Sequence, residues 1–478
     1  MNRISNHKYP VMGLLLVLVM VSCKTGGNRV ERNSGGEPTR LTDEQLLDTI
    51  QYRTFQYFWD GAEPVSGMAR ERFHVDGVYP ENDKHIITSG GSGFGLMALV
   101  VGMERGFITR EQGIDRLERM TGFMETCNRF HGVWPHWLDG ETGKVKPFSP
   151  RDNGGDLVET AYLVQGLLTV RSYLDSEVER ESALQERITA LVNGVEWDWH
   201  QRGGEPVLYW HWSPDLGWAM NHQVRGYNEC LITYVLGASS PTHPIDPEAY
   251  HLGWARGGGI SGENGAYGLM LDMNHHGDTV MGGPLFWSHY SYLGLDPRNL
   301  KDRYSDYWNH NVNHVMINFH YCVENPHGFK GYGENCWGLT ASYSLSGRVL
   351  EAEPGERSRL AVAAPVGYAA HSPARDIGVI SPTAAISSFP YAPVEAMKAA
   401  RYYYDSLGTR LMGPYGFYDA FSLEYDWFPQ RYLAIDQGPM VVMIENHRTG
   451  LLWELFMRNK EVQQGLERLG FRQPTSPE

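Results

Sequence analysis

Helical stretches apolar on every side alternate along this chain with stretches apolar on one side only. Thr42-Asp43-Glu44-Gln45 has the form of a capping box and opens an amphipathic helix running to about Trp59. Leu46, Leu47, Ile50, Phe55 and Phe58 fall at helical spacing within it. Gly93 to Met103 is nearly all apolar, and Thr109-x-x-Gln112 caps an amphipathic helix to about Arg129. The stretch SPRDNGGDLVETAYLVQGLL, Ser149 to Leu168, then passes a Gly154-Gly155 break into a second apolar helix. Ser182 to about Trp197 is amphipathic again, and Gly226 to Leu236 apolar. Further helices are predicted over Arg298 to His320, Gly338 to Ser346, Pro393 to Ser406 and Gly438 to Lys460. A helix apolar around most of its circumference must be buried, so the alternation reads as outer and inner helices. Sustained strand alternation is scarce. An all-α toroid, with inner helices lining a central depression, meets these demands; a right-handed superhelix of helical repeats is the competing geometry.

The inner helices begin beside acids. Asp152, Asp156 and Glu159 surround the Gly-Gly break, and Asp156 and Glu159, three apart, share a face at the first turn. Ordinary helix starts look similar, because carboxylates there complement the helix dipole. The pattern recurs, however. Glu229 precedes the Cys230 to Leu236 helix in MNHQVRGYNE, and Asp436-Gln437-Gly438-Pro439 precedes Met440 to Ile444. GYGENCWG at 331–338 and GPYGFYD at 413–419 set Glu334 and Asp419 among aromatics. If the inner helices line one ring, these N-terminal ends open on the same side. Glycoside cleavage needs one carboxyl kept protonated and one kept ionised, while Trp and Tyr offer flat faces for sugars. The chain is rich in both, with 14 Trp and 27 Tyr. Val133-Trp134-Pro135-His136-Trp137 is an aromatic loop of this kind. Trp134, His136, Trp137, Trp218, Arg225, Tyr332, Glu334, Trp337, Tyr418 and Asp436 are the candidate sugar contacts.

Other chemistries are poorly supported. His310 and His314 could share a helix face for zinc, but no HExxH accompanies them. His275-His276-Gly277-Asp278 reads as a polar loop within a Gly- and His-rich elaboration over Ser239 to Gly283. GxSxG and P-loop motifs are absent. A net charge of −15 disfavours nucleic acid and anionic membrane surfaces as partners.

The N-terminus reads as a targeting segment. Arg3 and Lys8 precede an apolar run, Val11 to Val21, too short to span a bilayer, which ends at Ser22-Cys23. It resembles a bacterial lipoprotein leader, with residues 1–22 removed and Cys23 lipidated. Residues 23–40 then form a polar tether, 41–470 one domain with no composition break, and 471–478 a tail. Cys127, Cys230, Cys322 and Cys336 fit no zinc or CxxC spacing and read as free buried thiols, although export would permit disulfides.

DNGGDLVET at 152–160, GYNE at 226–229, GYGENCWGLTA at 331–341, GPYGFYDAF at 413–421 and IDQGPMVVMIEN at 435–446, together with the leader, resemble the glucoamylase-like exported proteins of Bacteroidetes. That group is similar to glycoside hydrolase family 144, which acts on β-1,2-glucans. The resemblance spans Leu41 to Arg458. It implies an (α/α)6 toroid and an inverting hydrolase, endo-acting or releasing sophorose, without metal or organic cofactor. By position it implies that Asp152, Asp156 and Glu159 are cleft carboxylates and that Glu229 is the proton donor. It leaves Asp419 and Asp436 less defined and the base unassigned. It further implies a β-glucan substrate, a monomer, and membrane contact only through the lipid anchor, periplasm-facing or at the cell surface. A glucoamylase-type hydrolase on other glucans, a polysaccharide lyase and a non-catalytic glycan-binding lipoprotein are the alternatives.

Overall fold

The computed structural model describes residues 40–472 apart from 278–279, 354–355, 358 and 361–365. The leader, Cys23, most of the tether, Asp278 and nearly all of the tail therefore lie outside the described residues. The longer helices are α1 (Asp43–Trp59), α2 (Ser89–Glu104), α3 (Arg110–Thr126), α4 (Leu157–Tyr173), α5 (Glu179–Asn193), α6 (Leu231–Ser239) and α7 (Tyr307–Glu324). They continue with α8 (Pro393–Arg401), α9 (Ala434–Arg448), α10 (Leu451–Met457) and α11 (Lys460–Arg468). No described helix is long and apolar enough to cross a membrane.

The alternation becomes an inner and an outer layer. Every residue of α2 from Ser89 to Met103 is buried, as is all of α4 from Leu157 to Val170 and all of α6. Outer helices α1, α3 and α5 bury one face each. Both predicted capping boxes form: Thr42 Oγ1 accepts from the Gln45 N–H at 3.2 Å and Thr109 Oγ1 from the Gln112 N–H at 3.2 Å. Inner helix α2 packs between α4 and α9, and α4 reaches on to α6. Outside them, α1 lies against α9 and α2, while α3 and α5 pack on each other and on α2 and α4. Hairpins closing in this order make the all-α toroid.

Glycine sets the spacing of the inner layer. A Cβ on Gly93 would fall 2.1 Å from the Tyr162 carbonyl oxygen, and one on Gly166 would fall 2.2 Å from the Gly93 carbonyl oxygen. Helices α2 and α4 thus cross backbone to backbone, closer than any side chain permits.

Four sequence expectations change. The Arg298 to His320 helix begins only at Tyr307, capped by Asp306, and runs on to Glu324. Gly338 to Ser346 is not helical: Ala341–Ser344 is a strand paired antiparallel with Gly367–Ala370. That partner lies well downstream and no local period reveals it. The Gly438 to Lys460 stretch starts earlier, at Ala434, and breaks at Gly450, whose φ of 73° ends α9 before α10 begins. The Ser239 to Gly283 elaboration contains a hairpin, Ser261–Ala266 with Leu269–Met273. Cys127, Cys230, Cys322 and Cys336 are free and buried, as expected.

Overpacking a dense interior usually costs about 1–3 kcal/mol. Gly93→Ala and Gly166→Ala should each lower the urea midpoint by at least that equivalent, whereas Gly77→Ala, with nothing within 4 Å of its added Cβ, should cost less and act only through its φ of 70°. Equal midpoints for Gly93→Ala and wild type would refute the close crossing.

Candidate active site

The inner helices do open on one side. A cavity of about 350 Å³ there is lined by Glu159 of α4, Glu229 just ahead of α6 and Ile435 of α9, with Glu71, Arg72 and His136 closing its wall. Apolar and aromatic surface supplies most of the remainder, including Trp137, Phe148, Trp210 and Tyr290.

Asp156 is the buried anchor of this wall. It is the N-cap of α4: Oδ1 accepts the Val158 N–H at 3.1 Å, the Glu159 N–H at 2.9 Å and the Trp210 indole N–H at 2.8 Å. Oδ2 faces His136 Nδ1 at 3.2 Å and His211 Nε2 at 3.4 Å. Burial alone would raise its pKa, but the His136 and His211 contacts hold it below the usual carboxylate range. His211 is delivered by antiparallel pairing of His211–Trp212 with Gly155–Asp156. Asp152, also buried, has its pKa raised to about 6 by burial and by the charge of Asp156.

Glu159 faces the cavity and is tied to the start of α2. Its Oε2 accepts the Gly90 N–H at 2.8 Å and the Thr88 hydroxyl at 3.1 Å. Burial, then the charges of Asp156 and Glu71, lift its pKa to about 7 against the opposing pull of His136. Burial disfavours a charged His136, yet Glu159 and Asp156 overcome this and push its pKa to about 10. His136 is therefore an imidazolium at neutral pH, with the Phe148 ring stacked on it at 4.3 Å. Glu229 has a pKa raised to about 7, chiefly by burial; its backbone carbonyl accepts the Tyr162 hydroxyl at 3.3 Å and the Ser291 hydroxyl. Two cavity acids thus hold protons near neutrality above a fully ionised Asp156.

Asp419 and Asp436 form a second buried pair behind Tyr290 and Tyr343. Asp419 Oδ2 accepts the Tyr343 N–H at 2.6 Å. Burial, then the charge of Asp419, raises Asp436 well above its ordinary value, and burial raises Asp419 to about 6.

The predicted sugar contacts divide. His136 and Trp137 line the cavity. Trp134 and Trp337 do not: both are 0 % exposed, Trp134 beneath the Arg129 guanidinium and Trp337 donating to the Glu395 carbonyl. Aromatic loops must also fill the core, and composition cannot tell the two uses apart. Tyr332 bonds Asp376, Glu334 pairs with Lys398 and Arg225 bonds Gln223, all away from the cavity lining. Trp218 packs against Tyr209 and Trp199, and Tyr418 against Tyr432. Asp152, Asp156, Asp419 and Asp436 are buried behind the lining rather than part of it. His310 and His314 are engaged within the fold: His310 Nε2 meets His275 Nε2 at 2.8 Å, and His314 uses both nitrogens on Gly283 O and Ser288 Oγ. His275 is consequently buried, not part of a polar loop surface.

Glu71, Arg72 and Phe148 were not anticipated. Arg72 to His74 pair with Arg431–Leu433, and the Ala434 N–H donates to the Glu71 carbonyl at 3.0 Å. A pairing between opposite ends of the chain leaves no local motif.

An all-α toroid whose inner-helix N-termini meet at a cluster of carboxyls and aromatics is the class of protein that the fold and the site define. Residues 221–460 match the family model Glycoamylase, which describes glucoamylase-type proteins. The chain is 46% identical over 444 residues to an exo β-1,2-glucooligosaccharide sophorohydrolase (non-reducing end) of Parabacteroides distasonis, covering 90% of this chain but only 58% of that protein. It is 56% identical to an endo-β-1,2-glucanase of Chitinophaga pinensis solved with sophorotriose and glucose, covering 91% of this chain and 100% of that one at a TM-score of 0.85. An endo-β-1,2-glucanase of Talaromyces funiculosus shares the fold alone, at 10% identity, 90% and 91% coverage and a TM-score of 0.64. The chain belongs to the Glycoamylase family, within the glucoamylase-like group that the motifs pointed to.

Glu229 is protonated more readily folded than unfolded, so its contribution to stability is complete below the unfolded value of about 4.3 and is lost as pH rises through about 7. Glu229→Gln carries no such charge. Its Tm, relative to wild type, should therefore rise between pH 4.5 and pH 8.5; a constant difference would show that Glu229 is not held protonated.

Proposed function

We propose that this protein hydrolyses β-1,2-linked glucan with inversion at the anomeric carbon. The observation that carries the chemistry is a single cavity in which Glu229 and Glu159 both titrate near 7. A carboxyl kept neutral by apolar burial can give its proton to a departing glycosidic oxygen. Glu229 takes that role. Water attacking from the opposite side gives its proton to the ionised form of Glu159, whose charge is supported by the Gly90 N–H and by His136, with Glu71 beside it in the wall. Trp137, Phe148 and Trp210 supply sugar-stacking faces. The linkage is supported by the relatives from Parabacteroides and Chitinophaga, whose described activities are on β-1,2-linked glucose chains. They include an exo- and an endo-acting enzyme, and the product profile distinguishes these modes.

Purified protein should release sophoro-oligosaccharides from linear β-1,2-glucan and leave starch intact, with the new reducing end first seen as the α-anomer by NMR. Glu229→Gln should lower kcat about 10²–10⁴-fold, the usual contribution of a positioned acid. The wild-type rate should decline as pH rises through about 7, where Glu229 loses its proton. Full activity in Glu229→Gln would exclude it as donor, and cleavage of starch alone would exclude the linkage.

The leader supports an exported lipoprotein anchored at the outer membrane through Cys23. Cys23→Ala should abolish incorporation of labelled fatty acid and move the protein to the soluble fraction; unchanged labelling would refute the anchor.

A further inference from the structure

Beneath the cavity, donor atoms of His136, Asp152 and Asp156 lie within 4.8 Å of one another. His211 joins them, its Nε2 being 3.3 Å from Asp152 Oδ2 and 3.4 Å from Asp156 Oδ2. Charge-assisted N–H···O bonds are usually about 2.7–2.9 Å, so these contacts are long. Asp152 Oδ2 has no hydrogen-bond partner among the described residues although Asp152 is 3% exposed. Zinc ligands about 2.0–2.2 Å from a tetrahedral ion stand roughly 3.3–3.6 Å apart, which matches the spacing from His211 to both carboxylates. His136 adds the outer feature of such sites: with Nδ1 directed at Asp156, its Nε2 faces the Glu159 carboxylate at 3.9 Å, as histidine ligands commonly back onto a carboxylate.

We propose that His136, Asp152 and Asp156, with His211 as fourth donor, bind a divalent transition-metal ion of the zinc type. Imidazole with carboxylate selects zinc-like ions over magnesium or calcium, which favour all-oxygen shells. The ion displaces the proton that His136 shares with Asp156, which leaves to solvent. A second cluster, Glu63, His85 and Glu141, is a weaker competitor. Glu63 already accepts from Ser66 N–H and Ser66 Oγ at 2.7 Å each.

The ion is measured without glucan, so its failure is separable from failure of the hydrolytic reading. Calorimetric titration of the protein with zinc chloride at pH 7.5 should show one site in the micromolar range and no heat with magnesium. His136→Gln and His211→Gln, each checked for an unchanged metal-free circular dichroism spectrum, should weaken binding at least tenfold, while His85→Gln leaves it unchanged. No heat with zinc at millimolar concentration, or binding lost in His85→Gln but kept in His136→Gln, would overturn the site.

Discussion

The crossing of α2 and α4 at Gly93 and Gly166 is the contact on which the active-site wall depends. With no side chain between them, the start of α2 is brought within hydrogen-bond reach of α4, and Gly90 donates directly to Glu159. A single added methyl group would move the helices apart by more than a hydrogen bond tolerates. The orphan N–H groups at a helix start, usually left to water or a cap, are here spent on a cavity carboxylate of the neighbouring helix.

From that placement the electrostatics follow. Glu159 sits in a buried setting that penalises its charge, yet it faces a helix N-terminus and an imidazolium that favour it. Asp156 meets the opposite balance, because two imidazoles outweigh its burial. Carboxyls three residues apart on one helix turn thus titrate far from one another. Glu229 differs again, since burial dominates its environment. Groups of one chemical type, held in unlike surroundings, are what acid–base chemistry near neutral pH requires.

Much of this was legible in local sequence. The capping boxes at Thr42 and Thr109, the all-apolar α2 and α4, and the recurrence of acids ahead of inner helices follow from periods and spacings shorter than one helix. The roles of those acids were less legible. Asp156 reads as a cleft acid, yet it is the most enclosed of the trio, because it is also the best N-cap on its helix. Trp134 and Trp337 read as sugar platforms and are core. A loop aromatic carries the same letter whether it faces a ligand or Arg129.

What the sequence alone determined is the class of fold and the side on which chemistry occurs, since burial pattern and helix direction are encoded residue by residue. Only the tertiary structure decided which carboxyls line the cavity. Glu71 and Arg72 enter it because Arg72–His74 pair with Arg431–Leu433, and His211 reaches Asp156 because its strand pairs with Gly155–Asp156. Backbone pairing between distant segments is set by the free energy of the whole folded chain. No local period records it.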